Sequence, residues 1–466
     1  MFMGQKHFCK GTKEKRIWGL CAGLILVLGT ISIFAFMAMI VFAAPEDPEA
    51  EGKVQIEEEV AENDVSANEI PDEEKVLKEE EPHIPLIVID AGHGGEDNGC
   101  VENGVKEKEI NLQIALLVKS KLEEKGFQVM MPRNTDEYLV KEERVELANS
   151  YQADAYISIH QNTYEGSDKS VSGIETWYDG TDDTRDSERL ARLVHQETIR
   201  STGAKERELW ECADFCVTGK TLMPACLIET GFLSSPDESR LLSTAEYQEK
   251  IAEGIAQGVD LYFNPRTMYL TFDDGPSEEC TDKVLDVLKE KDVKATFFVI
   301  GEYVEKYPEV AKRIVEEGHT IGIHCYRHDY GVLYENKESY LEDFEKARDI
   351  VYQVTGVDAK LFRFPGGSVN AYNEDVRADI IEEMASRGYV YFDWNAGLED
   401  AAGKYEPQEL IENARYTTLE RKRVVMLAHD RVLNTALCLS DLIDQFPEYR
   451  MEPITDATEP IQFKIP

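Results

Sequence analysis

Two kinds of hydrophobic pattern divide this chain of 466 residues. Near the N-terminus, residues 17–44 form a nearly continuous apolar run that is long enough to cross a bilayer as a helix. From residue 84 onward, short apolar runs alternate with stretches in which apolar residues recur every three or four positions. This alternation predicts strands and amphipathic helices, as in an α/β fold. The chain has room for two or three domains of roughly 100 to 200 residues each.

The pattern over residues 84–264 predicts a first folded domain, for which we expect a central mixed sheet. Its apolar runs end close to Gly, His and Glu residues. Side chains at the ends of neighbouring strands can meet above one edge of a sheet. The predicted elements are strands at 85–90, 155–158 and 225–228 and helices from about Glu107 and over 244–262.

A second series of strands and helices is predicted over residues 265–466, after a linker of only a few residues. A joint this short keeps the two domains next to each other. About seven strands that each lead into a helix indicate a distorted (β/α) barrel with reactive side chains at the strand ends. The predicted strands end near 272, 299, 323, 364, 394 and 428, and the predicted helices cover 281–291, 307–317, 337–354 and 376–387.

The charge of the chain bears on its partners and on the segment before the first domain. The net charge of −41 argues against nucleic acid as a partner, because phosphate binding needs a basic face. Between residues 45 and 82 there are sixteen Asp and Glu but three Lys, with few large apolar residues. Such a composition buries too little apolar surface to fold, so residues 45–83 are predicted to be an acidic, disordered linker.

The apolar run at 17–44 is predicted to be a retained, single-pass membrane anchor. Residues 1–16 contain five Lys and Arg, whereas the residues after the run are acidic. The positive-inside bias therefore places residues 1–16 in the cytoplasm and both folded domains outside the cell membrane. A cleaved signal peptide ending at Val41-Phe42-Ala43 is the alternative, but the run is longer than the usual apolar core of a signal peptide.

Seven of the nine cysteines follow the apolar run, and this odd number cannot pair completely. Cys212 and Cys216 could form a local bridge. No dense disulfide framework is visible, so most of these cysteines are expected to be free thiols.

Four residues of the first domain carry candidate chemistry. His93 follows a predicted strand within a glycine-rich turn, Glu107 lies at a helix start, and His160 and Glu229 each follow a predicted strand. Two imidazoles and one glutamate, with the fourth position open, form a known catalytic zinc arrangement. Zinc lowers the pKa of a water molecule to about 7, and the remaining carboxylate can take that water's proton.

The sequence around these four residues forms separate motifs in a fixed order. The motifs are Ile89-Asp-Ala-Gly-His-Gly-Gly95, Glu107-Lys-Glu-Ile-Asn-Leu112, Arg133-Asn-Thr-Asp136, Arg144, Ala153-Asp-Ala-Tyr-Ile-Ser-Ile-His-Gln-Asn162 and Ile228-Glu-Thr-Gly-Phe-Leu233. They resemble those of the zinc-dependent N-acetylmuramoyl-L-alanine amidases of bacterial cell-wall turnover. The resemblance implies that His93, Glu107 and His160 hold Zn²⁺ and that Glu229 is the catalytic carboxylate. The implied reaction is hydrolysis of the amide that joins the lactyl group of N-acetylmuramic acid to the first L-alanine of the stem peptide.

Two other residues of the first domain need an interpretation. Glu109 is a rival for the second zinc ligand, although Glu107 fits the motif better. His195 lies in a helical apolar pattern and is expected to be a surface or core residue without a catalytic role. By the same resemblance, no regulatory helix is expected over this site, because the segment 163–173 is short.

The second domain contains three separated groups of candidate residues. Asp273 and Asp274 end an apolar run, and two adjacent carboxylates are costly unless a cation or a shared proton relieves them. His324 and His328 would project to one side from a helix or a tight turn. Asp274 and these two histidines form a metal-ligand set, which leaves Asp273 as a base and His429 as an acid for a leaving amine.

The second domain also contains a five-part pattern. Its parts are Thr271-Phe-Asp-Asp-Gly-Pro276, His324-Cys-Tyr-Arg-His328, Arg363-Phe-Pro-Gly-Gly367, Phe392-Asp-Trp-Asn395 through Asp400, and Leu427-Ala-His429. The pattern resembles the NodB-type polysaccharide deacetylases, carbohydrate esterase family four. The resemblance implies an N-acetylated aminosugar as substrate and a divalent metal, with Zn²⁺ as the first choice. The implied roles are metal ligands for Asp274, His324 and His328, base for Asp273, acid for His429, orientation of the base for Arg363, and pairing with His429 for Asp400.

Two residues depart from the family pattern. Cys325 stands where Ser or Thr is usual, and a thiol donates a weaker hydrogen bond to support the ligand loop. Ala401 follows Asp400 where Trp is usual, which puts the apolar wall of the acetyl pocket in doubt.

Together the two resemblances predict a membrane-anchored enzyme with two activities on peptidoglycan. The deacetylated sugar is either N-acetylglucosamine or peptide-free N-acetylmuramic acid, and the second choice would lead towards muramic lactam. The alternative is an amidase whose second domain is inactive and only binds wall glycan. The sequence leaves the oligomeric state open.

Overall fold

The computed structural model describes residues 83–465. The predicted cytoplasmic segment and the predicted anchor at 17–44 lie outside these residues, as does the acidic linker up to residue 82. Within the described part, no helix combines the length and the apolar character that a membrane span requires. From Pro85 onward the described chain packs as one unit.

The first domain alternates strands and helices from residue 86 to residue 263. The strands and helices are β1 (Leu86–Ala91), β2 (Val101–Glu102), β3 (Val105–Lys106), α1 (Glu107–Glu124), β4 (Gln128–Met130), α2 (Lys141–Ser150), β5 (Ala155–Asn162), β6 (Ile174–Tyr178), α3 (Ser187–Thr202), β7 (Glu206–Glu211), α4 (Cys216–Gly219), β8 (Ala225–Phe232), α5 (Pro236–Leu242) and α6 (Ala245–Phe263).

The central sheet of this domain has six strands in the order β4-β1-β5-β8-β6-β7. Its ladders are parallel except the antiparallel pair of β6 with β8, so the predicted mixed sheet is confirmed. Strands β5 and β8 extend further than predicted, because the chain stays extended beyond the last apolar residue of each run. His160 and Glu229 therefore lie within strands, where they are register partners. Residues 163–173 contain no helix.

The second domain repeats the alternation from residue 266 onward. The strands and helices are β9 (Arg266–Asp273), α7 (Cys280–Glu290), β10 (Thr296–Ile300), α8 (Gly301–Lys306), α9 (Pro308–Glu316), β11 (Thr320–Cys325), α10 (Tyr330–Leu333), α11 (Lys337–Thr355), β12 (Leu361–Phe362), α12 (Arg377–Ser386), β13 (Val390–Tyr391), β14 (Ala396–Gly397), α13 (Pro407–Thr418), β15 (Arg423–His429), α14 (Leu433–Asp444) and β16 (Tyr449–Met451).

The sheet of the second domain is a curled, parallel half-barrel rather than a closed barrel. Its strands follow the order β13-β12-β11-β10-β9-β15-β14, with β16 paired to β9. The strand predicted to reach residue 394 stops at Tyr391, and the backbone beyond it bonds to the C-terminal segment. Asp393 N donates to Ile461 O at 2.8 Å, and Phe463 N donates to the Asp393 carboxylate at 2.7 Å.

The two domains are joined closely, as the short linker predicts. Helix α6 ends at Phe263 and strand β9 begins at Arg266. Arg189 of α3 donates to Tyr262 O at 3.2 Å and to Pro447 O at 3.0 Å. One guanidinium therefore binds backbone carbonyls on both sides of the joint.

The structure shows the surroundings of Cys216, for which the sequence allows a local bridge, and of His195, for which it predicts no catalytic role. Cys216 is a free thiol, so the local bridge to Cys212 is not formed. His195 is buried, and its Nδ1 lies 2.9 Å from the hydroxyl of Thr176. This places His195 in the core of the first domain.

Candidate metal sites and catalytic residues

The first candidate site brings together the three residues predicted to bind zinc. His93 follows β1 with φ of 62°, Glu107 is the first residue of α1, and His160 lies in β5. One ligand atom from each lies within 4.8 Å of the others. Glu109, the rival ligand, has a side chain 54% exposed and pairs with Lys106 at 3.2 Å. The structure therefore places Glu107, not Glu109, between the imidazoles.

The carboxylate of Glu107 is the centre of this cluster. Its Oε1 lies 3.2 Å from His93 Nε2 and 2.9 Å from His160 Nδ1. Its Oε2 accepts a hydrogen bond from the backbone N–H of Cys100 at 2.9 Å. Burial opposes ionisation, but His160 and His93 outweigh it and hold the pKa of Glu107 well below its usual value. Glu107 is therefore a carboxylate at neutral pH.

The two imidazoles of this site have opposite protonation preferences. Burial disfavours the charged form of His93, but bonds to Glu107 and Asp97 raise its pKa to about 9. Burial is the larger effect on His160 and lowers its pKa. A bound cation would displace the proton from His93, because metal ligands must be deprotonated.

The glycines around this site leave space for the side chains. A Cβ on Gly92 would overlap the ring of His160, and a Cβ on Gly99 would overlap Glu107 and His93. Gly99 also has φ of 64°, a left-handed conformation that favours glycine. The glycine-rich turn therefore supports His160 as well as the imidazole within it.

Glu229 lies next to the three-residue cluster on the neighbouring strand. It is the register partner of His160 and is half-buried. Register partners on neighbouring parallel strands project to the same face of the sheet. The predicted catalytic carboxylate and the predicted ligand His160 therefore lie on one face.

Several supporting residues of this site had no sequence signal of their own. Asp97 Oδ2 lies 2.8 Å from His93 Nδ1 and leaves Nε2 directed at Glu107. Glu175, on β6, is the register partner of Glu229 and binds Arg207 at 2.6 Å. The contact of Asp97 is local, whereas the place of Glu175 beside Glu229 depends on strand order, which local patterns do not specify.

Arg144 lies directly beneath the turn that carries His93. It forms a buried ion pair with Asp90 and donates to His93 O at 2.7 Å. Burial acts against ionisation of Asp90, but Arg144 holds its pKa below the usual value.

We expect Arg144→Leu to destabilise the first domain by about 3–5 kcal/mol, because it leaves the Asp90 carboxylate buried without a counter-charge. Urea titration of the full chain measures this loss. Arg192→Leu, which removes a partly exposed pair with Glu188, is the matched control and should change stability by less than about 1 kcal/mol. Adding Asp90→Asn to Arg144→Leu should recover part of the loss; an unchanged midpoint in Arg144→Leu would contradict the prediction.

The second candidate site brings together the predicted Asp-His-His set. Asp274 follows β9 with φ of 74°, His324 lies in β11, and His328 lies in the turn after it. Asp274 Oδ1 is 3.4 Å from His324 Nε2 and 3.7 Å from His328 Nε2. The histidine pair therefore comes from a strand end and a turn, not from a helix.

The predicted base of the second domain is held by a buried arginine. Arg363 Nη1 lies 2.9 Å from Asp273 Oδ1 and 2.7 Å from the hydroxyl of Thr271. Its Nε donates to Phe392 O at 2.8 Å. Burial raises the pKa of Asp273 although Arg363 and His429 oppose the shift. A raised pKa makes this carboxylate a better proton acceptor near neutral pH.

His429 and Asp400 form a hydrogen-bonded pair on the other side of the site. His429 Nδ1 lies 2.8 Å from Asp400 Oδ1, and Thr435 donates to Asp400 Oδ2 at 2.7 Å. Burial lowers the pKa of His429, but Asp400 outweighs burial and raises it to about 9. The imidazole is thus protonated at neutral pH, as an acid for a leaving group requires.

Cys325 and Ala401, the two residues that depart from the family pattern, have different surroundings. Cys325 is almost fully buried at the end of β11, and burial raises the pKa of its thiol well above the usual value. Ala401 is exposed in the turn after Asp400 and provides no apolar wall. The ring of Trp394 lies 5.7 Å from the guanidinium carbon of Arg363 and offers an apolar surface there.

The turn that carries His328 is held by Asp343 of α11. The Asp343 carboxylate accepts hydrogen bonds from the backbone N–H groups of Tyr326, at 2.6 Å, and Arg327, at 3.1 Å. No sequence motif indicates this contact, because Asp343 lies far from His328 in the chain.

We expect Asp343→Ala to weaken metal binding at the second site by about 10–100-fold, as is typical when a group that orients metal ligands is removed. Competition with a chelator of known affinity measures this change. Binding at the first site should stay the same. Asp349→Ala, an exposed position on the same helix, is the matched control; equal metal affinity in both variants would disprove the role of Asp343.

Both clusters have the donors that a divalent cation needs. Each provides two imidazoles and one carboxylate oxygen, which suits Zn²⁺ with an open position for water or substrate. Asp274 Oδ1 is buried and has no hydrogen-bond partner among residues 83–465, as expected of an oxygen whose ligand is a cation. His324 Nδ1 binds Arg363 O at 2.9 Å, which leaves Nε2 for the ion. Such sites are typical of metal-dependent hydrolases.

Comparison with known proteins assigns each site to a family. The family model described as N-acetylmuramoyl-L-alanine amidase matches residues 87–260, and the one described as polysaccharide deacetylase matches residues 261–389. The chain belongs to the amidase family through its first domain and to the polysaccharide deacetylase family through its second. It is a peptidoglycan-modifying hydrolase that acts on carbon-nitrogen bonds.

Three curated relatives illustrate the match. The N-acetylmuramoyl-L-alanine amidase LytC of Bacillus subtilis is 37% identical over 177 residues, which are 38% of this chain and 35% of that protein. The putative polysaccharide deacetylase YheN of the same species is 33% identical over 205 residues, 42% of this chain and 70% of that protein. The peptidoglycan-N-acetylglucosamine deacetylase of Bacillus cereus is 34% identical over 174 residues, 35% of this chain and 60% of that protein. The chain thus spans about a third of LytC.

Proposed function

We propose that the chain is a membrane-anchored enzyme that modifies peptidoglycan outside the cell by two hydrolytic reactions. The first domain cleaves the amide between N-acetylmuramic acid and the L-alanine of the stem peptide. The second domain removes the acetyl group from an aminosugar of the glycan. The observation that carries this proposal is the presence of two separate His-His-carboxylate clusters, each beside a further carboxylate that can act as a base.

A divalent ion, Zn²⁺ in our proposal, would polarise the substrate carbonyl and acidify a water molecule at each site. His93, Glu107 and His160 would hold this ion in the first domain. Glu229 takes the proton from the attacking water and returns it to the amine nitrogen of the leaving L-alanine. Its place beside His160 in the sheet supports this role.

The second domain divides acid and base between two side chains. Asp274, His324 and His328 would hold the ion. Asp273 accepts the proton of the attacking water, and the buried Arg363 fixes its orientation. His429 is held in its protonated form by Asp400 and gives its proton to the amine of the deacetylated sugar.

Two sugars are candidates for the one that loses its acetyl group. The Bacillus cereus relative is named for N-acetylglucosamine, which supports that sugar. The fusion with an amidase supports peptide-free N-acetylmuramic acid, because the first domain would generate it. Deacetylation of that sugar would lead towards muramic lactam, in which the freed amine closes on the lactyl carboxyl group.

The location of the enzyme rests on the sequence before the first domain. The apolar run at 17–44 and the basic residues before it support a single-pass anchor with a cytoplasmic N-terminus. The acidic linker at 45–83 would let both domains reach the wall.

The test incubates the full chain, in detergent with added Zn²⁺, with purified peptidoglycan and identifies the products by mass spectrometry after muramidase digestion. We expect free stem peptide together with glycan that has lost acetyl groups. Acetyl loss confined to glucosamine would exclude the lactam route. Peptide release without any acetyl loss would instead support the alternative, an amidase whose second domain only binds glycan.

A further inference from the structure

A row of aromatic rings leads from the core of the second domain to its surface beside the candidate metal site. The ring of Tyr330 lies 4.9 Å from the ring of His328, edge to face. On one side Tyr330 stacks on Tyr334 at 6.2 Å, and on the other it stacks on Tyr372 at 4.8 Å with an angle of 8° between the planes. Tyr334 is buried, whereas Tyr372 is 62% exposed. One face of Tyr372 is therefore packed and the other is open to solvent.

The loop that carries Tyr372 is held in place by hydrogen bonds. Asn370 Oδ1 accepts from the backbone N–H of Tyr372 at 2.8 Å and from that of Asn373 at 3.1 Å. Asn370 Nδ2 donates to Gly367 O at 3.0 Å, and the buried Asn373 donates to the same oxygen at 3.1 Å. A ring fixed in this way loses little conformational freedom when it binds a ligand.

The loop and the metal site also meet at Gly366. Gly366 has φ of 74°, and a Cβ there would lie 3.0 Å from the hydroxyl of Tyr330. Tyr330 thus covers the turn that follows Arg363, the residue that holds the predicted base. The aromatic row is in contact both with a predicted metal ligand and with this turn.

We propose that Tyr330 and Tyr372 form a carbohydrate platform, on which a pyranose ring of the glycan packs next to the sugar that is deacetylated. A sugar ring has an apolar C–H face and a polar rim, and Tyr offers a flat apolar face with a hydroxyl at its edge. Single exposed tyrosines are common on protein surfaces. Tyr372 differs because its loop is pinned and only one ring separates it from His328. The inference rests on the proposed function, since it takes the glycan as substrate of the second domain.

The test compares the full chain with Tyr372→Ala, Tyr372→Trp and the control Tyr416→Ala. Tyr416 is 78% exposed on α13 of the same domain. The ligand is N-acetylchitotetraose; calorimetry gives its Kd, and acetate release gives kcat and KM. We expect Tyr372→Ala to raise Kd and KM about tenfold and to leave kcat within about twofold, since the platform binds but does not react. Tyr372→Trp should bind as the original chain does, and so should Tyr416→Ala.

The outcomes distinguish glycan binding at the tyrosine platform from the deacetylation reaction. A Kd that stays the same in Tyr372→Ala, an equal loss in Tyr416→Ala, or no binding by the original chain would each overturn the platform. Binding that depends on Tyr372 without any acetate release would support the platform and reject N-acetylglucosamine as the sugar that is deacetylated.

Discussion

Replacing Glu229 with alanine is expected to reduce release of stem peptide from peptidoglycan by about 10²–10⁴-fold, the usual contribution of a positioned acid-base group. The ligand cluster would remain, because Glu229 lies on β8 and none of the three predicted ligands does. Metal binding at the first site should therefore be kept while turnover is lost. Chromatographic measurement of free peptide gives the rate.

Two controls accompany this variant. Glu208→Ala removes an exposed carboxylate from β7, the edge strand of the same sheet, and should release peptide at the original rate. Acetate release by Glu229→Ala should also be unchanged, because that reaction belongs to the second domain. Peptide release within tenfold of the original rate would show that another group is the base.

The substitution Asp273→Asn is expected to reduce acetate release by a similar factor, about 10²–10⁴-fold. Asparagine keeps the shape of the side chain but cannot accept the proton of the attacking water. It also leaves the fully buried Arg363 without its negative partner. Some loss of stability is therefore expected, and thermal unfolding should be measured beside the acetate assay.

Peptide release reports whether the rest of the Asp273→Asn chain is intact. We expect that rate to be the same as in the original chain, so a loss of both products would indicate misfolding rather than loss of the base. Acetate release at more than a tenth of the original rate, in a variant that is folded, would rule out Asp273 as the base.

The sequence is most informative where a candidate site residue stands at the end of an apolar run. His93, Asp273 and Asp274 lie where apolar runs end, so the sequence alone predicts that they meet other strand ends at one edge of each sheet. The mixed sheet of the first domain is confirmed. The apolar pattern predicts His160 and Glu229 at strand ends, but they lie inside longer strands, because backbone pairing continues where the apolar residues stop.

Other features could not be predicted because they depend on distant parts of the chain. Beyond β13, Asp393 bonds to the C-terminal residues Ile461 and Phe463, and nothing local in the sequence marks that contact. Asp343 of α11 supports the turn that carries His328 across a tertiary contact. Tyr330, at the start of α10, and Tyr372, in the segment before α12, come from separate parts of the chain and stack only in the tertiary structure.

The metal content of the purified full chain tests the central claim most directly. Mass spectrometry of the metal, after equilibration with Zn²⁺ and removal of the excess, should give two ions per chain. His160→Ala and His328→Ala should each retain one ion, and the double variant should retain none. One ion or fewer in the original chain, or two ions in either single variant, would contradict the assignment of two independent metal sites.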